Sequence, residues 1–150
     1  MKLNYGKRIF DVCKKLINLN RSLTGEGNRQ TLRVLSKINK NLKIKKFKSG
    51  EKIFDWKIPL EWNIKNAWIK DGKNKKIIDF KNNNLHVVGY SIPIKKTLSL
   101  KLLKKNLFTY KKLPNAIPYV TSYYEKNWGF CLTHNQRKKL KKGKYHVVIN

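Results

Sequence analysis

Acidic residues are scarce in this sequence. There are eight Asp and Glu in 150 positions, against 36 Lys and Arg, for a net charge of +28. Asp11, Glu26, Glu51, Asp55, Glu61, Asp71, Asp79 and Glu125 are dispersed. None completes an HExxH, an EF-hand loop or an acidic pair beside a histidine, so the local motifs of metal and carboxylate chemistry are missing. Histidine is equally thin: His86, His134 and His146 lie far apart, whereas a zinc site needs three or four ligands. Two cysteines, Cys13 and Cys131, belong to no CxxC or Cys/His pattern and read as unpaired, largely buried thiols of a cytoplasmic chain. No apolar run approaches the roughly 20 residues that span a membrane. Met1 to Lys15 lacks the apolar centre and cleavage site of a signal peptide. The expectation is a cytoplasmic protein with no membrane partner.

Arginine is also rare, with 31 of the 36 basic residues being Lys, and Asn occurs 17 times. Both Lys and Asn are written with A/T-rich codons, so compositional drift accounts for much of the charge. Dedicated readers of phosphates and bases favour the arginine fork, which argues against nucleic acid as the partner. A basic binding module for nucleic acid or another polyanion remains the alternative reading.

What is abundant is packing material. Hydrophobic residues make up 40% of the chain and include four Trp, seven Tyr and six Phe. A chain of this length buries roughly 68–70% of its unfolded surface, so a real core is expected. Ile9, Phe10, Cys13, Leu16 and Ile17 fall on one face of a helix over about Lys7–Leu19. A glycine-containing loop follows, and Leu32, Leu35 and Ile38 mark a second helix over about Asn28–Asn39. From Leu42 the period shortens to that of strands: Leu42–Phe47, Ile53–Pro59, Glu61–Ile64, Ala67–Lys70, Lys76–Phe80 and Leu85–Tyr90. A third helix is expected over Leu98–Phe108, and an aromatic hairpin from Tyr119–Tyr124 and Trp128–Leu132. A basic helical turn over Asn135–Leu140 and a strand over Tyr145–Ile149 complete an α+β chain with a β-rich middle. The apolar strand at the very end suggests a sequence cut short.

The most distinctive segment is Arg21-Ser22-Leu23-Thr24-Gly25-Glu26-Gly27-Asn28-Arg29. Glycines, hydroxyls and two arginines ahead of a helix start could cradle an anion. The segment is no GxGxxG and follows no strand, so a capped helix–helix connection is the favoured reading. Cys131 and His134 stand three apart, but sequence neighbours seldom form a nucleophile–base pair. The run Gln136–Lys142 could touch phosphates, and reads more simply as a solvated face.

Four segments carry a resemblance. Asn20–Arg29, Phe54–Ile64, Asn84–Pro93 and Ile117–Gln136 (with Trp128-Gly129-Phe130-Cys131 within it) are similar to the aminopeptidase-like proteins of bacterial polysaccharide biosynthesis clusters. The resemblance runs in order over nearly the whole chain. It implies an α/β zinc-peptidase domain interrupted early by an inserted domain of unknown function. Residues 1–47 would be the helical start of the peptidase-like domain, 48–142 the β-rich insert, and 143–150 the beginning of the return strand. Zinc would serve the full-length family, with its ligands beyond the position equivalent to Asn150, so that no catalytic or metal residue is assigned here. The implied function is the N-terminal part of a zinc-dependent hydrolase, inactive alone. Its partners would be the remainder of the peptidase domain and, in the full-length form, a peptide or amide substrate. Arg21, Thr24, Tyr123, Trp128 and His134 are the candidates for lining a cleft.

Overall fold

The computed structural model describes residues 4–123 and 125–150. The chain forms two compact units, one ending at Asn63 and the other spanning Ile64–Asn150. The boundary that the resemblance implies, at 47/48, and this division fall at different places. Residues 61–63 are hydrogen-bonded back to the start of the second helix, which keeps them with the first unit.

In the first unit, α1 (Tyr5–Leu16) begins at Asn4, whose side chain accepts from the Lys7 amide at 3.0 Å. Helix α2 (Glu26–Ile38) follows the glycine-containing loop. Strands β1 (Lys52–Ile53) and β2 (Trp56–Lys57) form a minimal antiparallel hairpin. Its turn places Phe54 at φ 54°. The expected strand over Leu42–Phe47 does not form, and its residues are mostly exposed with no strand beside them. Alternation alone cannot make a strand without an edge to pair with. Cys13 is exposed on α1, contrary to the expectation of two buried thiols, because the apolar face that carries it is itself uncovered.

The second unit is built on a four-stranded antiparallel sheet in the order β4-β3-β8-β5. Its strands are β3 (Ala67–Asp71), β4 (Lys76–Asp79), β5 (Ile94–Ser99) and β8 (Lys144–Ile149). Side chains alternate across a strand, and Tyr145, Val147 and Ile149 of β8 are buried together with Ala67, Ile69, Ile78 and Ile94. Val87, Val88, Leu103, Leu107, Phe130, Cys131 and Leu132 complete the core. Between β5 and β8 the chain runs through α3 (Leu100–Leu103), a 3₁₀ turn (Lys104–Asn106), β6 (Leu107–Phe108), β7 (Phe130–Cys131) and α4 (His134–Lys138). Strand β8, expected as the start of a return strand, thus lies inside this unit's sheet, hydrogen-bonded on both edges.

Three sequence expectations are corrected here. Leu85–Tyr90 is a 3₁₀ turn (Asn84–His86), started by Asn83 accepting from the Leu85 amide, followed by single bridges from Val87 to Phe130 and Gly89 to Thr121. The Leu98–Phe108 helix is one helical turn: β5 runs through Ser99, whose hydroxyl caps α3. Leu103 and Leu107 are buried but Leu102 is exposed, so the leucines serve sheet and turn in succession. The aromatic hairpin is absent in the described residues, Tyr124 lying outside them. β7 pairs in parallel with β6, and both segments bridge Val87–Gly89, Phe130 to Val87 and Thr121 to Gly89, rather than each other.

Phe130 is fully buried, and beside it a Cβ on Gly129 would come within 2.6 Å of the Phe108 ring. Phe130→Ala should lower the unfolding free energy by roughly 3–5 kcal/mol, because transfer and cavity costs add. Denaturant unfolding of the chain and the variant gives the value.

Candidate functional site

The Arg21–Arg29 loop is shaped by close backbone approach. Gly25 sits at φ 100°, and a Cβ there would lie 2.3 Å from the Trp62 carbonyl oxygen. At Gly27 it would lie 1.8 Å from the carbonyl oxygen of Asn20. No side chain fits either position. The polar groups are largely committed. Thr24 Oγ1 accepts from the Trp62 amide at 3.0 Å, and Asn28 Nδ2 donates to the Ser22 carbonyl at 2.6 Å. The amide of Glu26, at the start of α2, donates to Asn63 Oδ1 at 2.7 Å. A side chain from 37 positions further along therefore takes the place that an anion would occupy.

Charge is committed in the same way. Arg29 Nη1 and Nη2 donate to the two carboxylate oxygens of Glu61 at 2.9 and 2.6 Å, and its Nε to Glu26 at 2.8 Å. Arg33 also pairs with Glu26. The Arg29 guanidinium, helped by the Asn63 amide, holds the Glu61 carboxyl down at about 2. Glu26 is lowered by Arg29 and then Arg33, and Arg29 is raised by Glu61 and then Glu26. Of the two candidate cleft residues in this loop, Thr24 is a structural acceptor and Arg21 is exposed. The loop connects the two helices, but the cap comes from Asn63 rather than from a Thr or Asn of the loop, whose N-cap residue is Gly25.

Tyr123, Trp128 and His134 lie in the second unit, and the structure does not gather them into one site. Tyr123 lines an open hollow of about 400 Å³ with Val88, Phe108, Thr121, Ser122, Glu125 and Asn127. Its ring meets Tyr90 edge to face, with centroids 5.3 Å apart. Its hydroxyl pairs with that of Tyr119 at 3.5 Å, which pushes the Tyr123 phenol above its usual range. Trp128 and His134 do not line this hollow. The Trp128 carbonyl accepts from Asn106 Nδ2 at 2.8 Å. His134 begins α4 behind a Thr133–Gln136 capping box, with Nδ1 at 3.2 Å from Thr109 Oγ1. Partial burial, then Lys138, Lys111 and Arg137, lower its pKa.

The titratable donors do not fit zinc. Among the described residues no three His, Cys, Asp or Glu come together as ligands. His86 Nδ1 lies 2.8 Å from the Cys131 carbonyl oxygen, and His146 Nδ1 2.8 Å from Thr97 Oγ1. Burial pushes the Cys131 thiol up to about 12, so it supplies neither thiolate ligand nor nucleophile. His134 bonds Thr109 rather than this thiol, so proximity in sequence makes no catalytic pair. The hollow offers hydroxyls, an amide and one carboxylate.

A mixed α+β chain whose second unit is built on a four-stranded antiparallel sheet is what the fold defines. A family described as "Domain of unknown function (DUF2172)" matches residues 61–150, and the chain belongs to it. The matched span begins close to the division between the two compact units. The chain is also 46% identical over 145 residues to a Clostridium acetobutylicum protein named "Putative polysaccharide biosynthesis protein with aminopeptidase-like domain", covering 97% of this chain and 33% of that protein. It is similar to a crystal structure described as a "putative peptidase" from Clostridium acetobutylicum, with a TM-score of 0.93 and 46% identity, over 97% of this chain and 34% of the other. The chain thus spans about a third of the length of the relatives it matches. No described helix is long and apolar enough to cross a membrane.

The residues that organise the first unit, Glu61 and Asn63, were not singled out by sequence. They act on Glu26 and Arg29 from more than 30 positions away, and no local motif announces them. The sign of their pH dependence is definite. Glu61 is depressed from its usual 4.5 to about 2 in the fold. Its stabilisation is therefore complete above pH about 4.5 and is lost as pH falls through about 2. Glu61→Gln should lower the melting temperature of the first unit at neutral pH and converge with the unaltered chain near pH 2. Circular dichroism melts across this range measure both.

Proposed function

We propose that this chain is the N-terminal part of a zinc-dependent, aminopeptidase-like hydrolase that works in surface polysaccharide biosynthesis. In this reading, residues up to Asn63 begin the peptidase-like domain and the family-matched unit after them is the insert. The zinc, its ligands and the reaction belong to the remainder of the peptidase domain, and this chain alone is inactive. Bound there, zinc would activate water and polarise the scissile carbonyl of a peptide or amide. The relative's name and the share of its length matched here support this assignment.

One structural observation carries it. Helix α1 is strongly amphipathic, yet much of its apolar face is uncovered: Ile9 and Phe10 are 65% and 64% exposed, and Ile17, just past its end, 65%. In the whole first unit Leu16 is the one buried hydrophobic side chain among the described residues. A helix with such a stripe is stable when a partner covers it. The remainder of the peptidase domain is the partner that this reading supplies.

A chimera tests the assignment. Replacing the matching third of the Clostridium acetobutylicum relative by this chain should retain zinc-dependent release of N-terminal residues from peptide amides. Ile9→Ser with Phe10→Ser should reduce that activity at least tenfold by uncoupling α1, roughly 1.4 kcal/mol or more. The chain alone should neither bind zinc stoichiometrically nor hydrolyse the substrate. Turnover by the chain alone, or an inactive chimera with a normal thermal transition beside an active parent, would sink the reading.

A further inference from the structure

A second hollow, of about 530 Å³, opens at one end of the sheet of the second unit. Six lysines line it. Lys73 and Lys75 come from the turn between β3 and β4, and Lys139, Lys141, Lys142 and Lys144 from the segment that leads from α4 into β8. The two groups are more than 60 positions apart in sequence, and the pairing of β3 with β8 brings them to one rim. All six are exposed, and none forms an ion pair among the described residues. The lining contains one acid, Asp71, so six lysines less one aspartate leave five net positive charges. The Asp71 carboxylate is committed to its own turn, accepting from the Lys73 and Lys75 amides at 3.0 and 2.9 Å. Five positive charges around one hollow repel each other in the free protein, and a polyanion relieves that cost.

The frame around the hollow is held. Tyr145, buried in the core, donates its hydroxyl to the Lys141 carbonyl at 2.7 Å, and the Leu100 amide donates to the Gly143 carbonyl at 3.1 Å. The lysines therefore project from a fixed backbone. Their chemistry narrows the ligand. Lysine is a point charge without the planar fork that reads phosphates and guanine. The lining holds no exposed aromatic ring on which a base could stack, because its one ring, Tyr145, is buried. Aliphatic Ile77 and Leu140 lie between the charges.

We infer that this lysine-lined hollow is a binding site for an acidic polysaccharide, whose repeated carboxylates bridge the two lysine groups. The choice of a glycan rests on the polysaccharide setting of the proposed function, but no hydrolysis is needed for binding. The test uses the whole chain and size-defined oligogalacturonate, with affinity followed against salt. Replacing Lys139, Lys141 and Lys142 together by Ser should weaken binding at least tenfold, and Lys73→Ser with Lys75→Ser should weaken it as well. Replacing Lys43, Lys45 and Lys46 by Ser removes the same charge from the first unit and should change affinity less than about twofold. Unchanged thermal transitions establish that the variants fold. Equal losses in the two triple variants would overturn the site in favour of general charge. Tighter binding of single-stranded DNA of equal charge, lost in the same site variants, would overturn the glycan. Neither result depends on whether the chimera hydrolyses amides, so the two proposals fail separately.

Discussion

Strand β8 is hydrogen-bonded on both edges, and much of the second unit is arranged by that constraint. Tyr145 faces Asp71 on β3 and Leu98 on β5, Val147 faces Ile69 and Lys96, and Ile149 faces Ala67 and Ile94. Because side chains alternate with period two, a slip of one residue would bury Lys144, His146 and Val148 in place of Tyr145, Val147 and Ile149. Burying a lysine and a histidine there would cost far more than a ladder bond returns, so the register is strongly specified. The ladder continues past the strand: Asn150 exchanges backbone bonds with Asn66 at 2.8 and 3.0 Å. Once β8 is placed, β5 must run beside it, and the Leu100 amide reaches the Gly143 carbonyl where the chain turns into α3.

The two units rely on different physics. Beneath the sheet, β6, β7 and the segments around Val88 and Leu132 supply side chains that are almost wholly buried, so burial of apolar area dominates there. The first unit buries little. It is organised by the Gly25 and Gly27 approaches, the Asn63 cap and the bidentate Arg29–Glu61 pair. These interactions define a geometry, but an exposed ion pair is screened by water and stabilises weakly.

Charge acquires meaning through position. Of the lysines around the open hollow, the run over 138–142 is visible in the sequence, and in isolation it reads as a solvated face. Lys73 and Lys75 stand in a hairpin turn with no apparent relation to it. The sheet register makes them neighbours. The aromatic residues moved the other way: Tyr123, Trp128 and His134 cluster in sequence, but they enter separate hydrogen-bonded settings in the fold.

By itself the sequence determined the α+β class, the two N-terminal helices, the turn between them and the strands around Ile69, Ile78 and Val147. These follow from local periodicity and turn chemistry, which act over a few residues. Its spread of acids and histidines likewise pointed away from a local metal motif. Tertiary structure alone decided that Leu98–Phe108 is strand, turn and strand rather than helix, and that Leu42–Phe47 pairs with no strand among the described residues. It also decided that Asn63 fills the start of α2 and that distant lysines share one rim. Each of these depends on a partner tens of residues away, and an apolar or charged pattern does not encode which partner will be there.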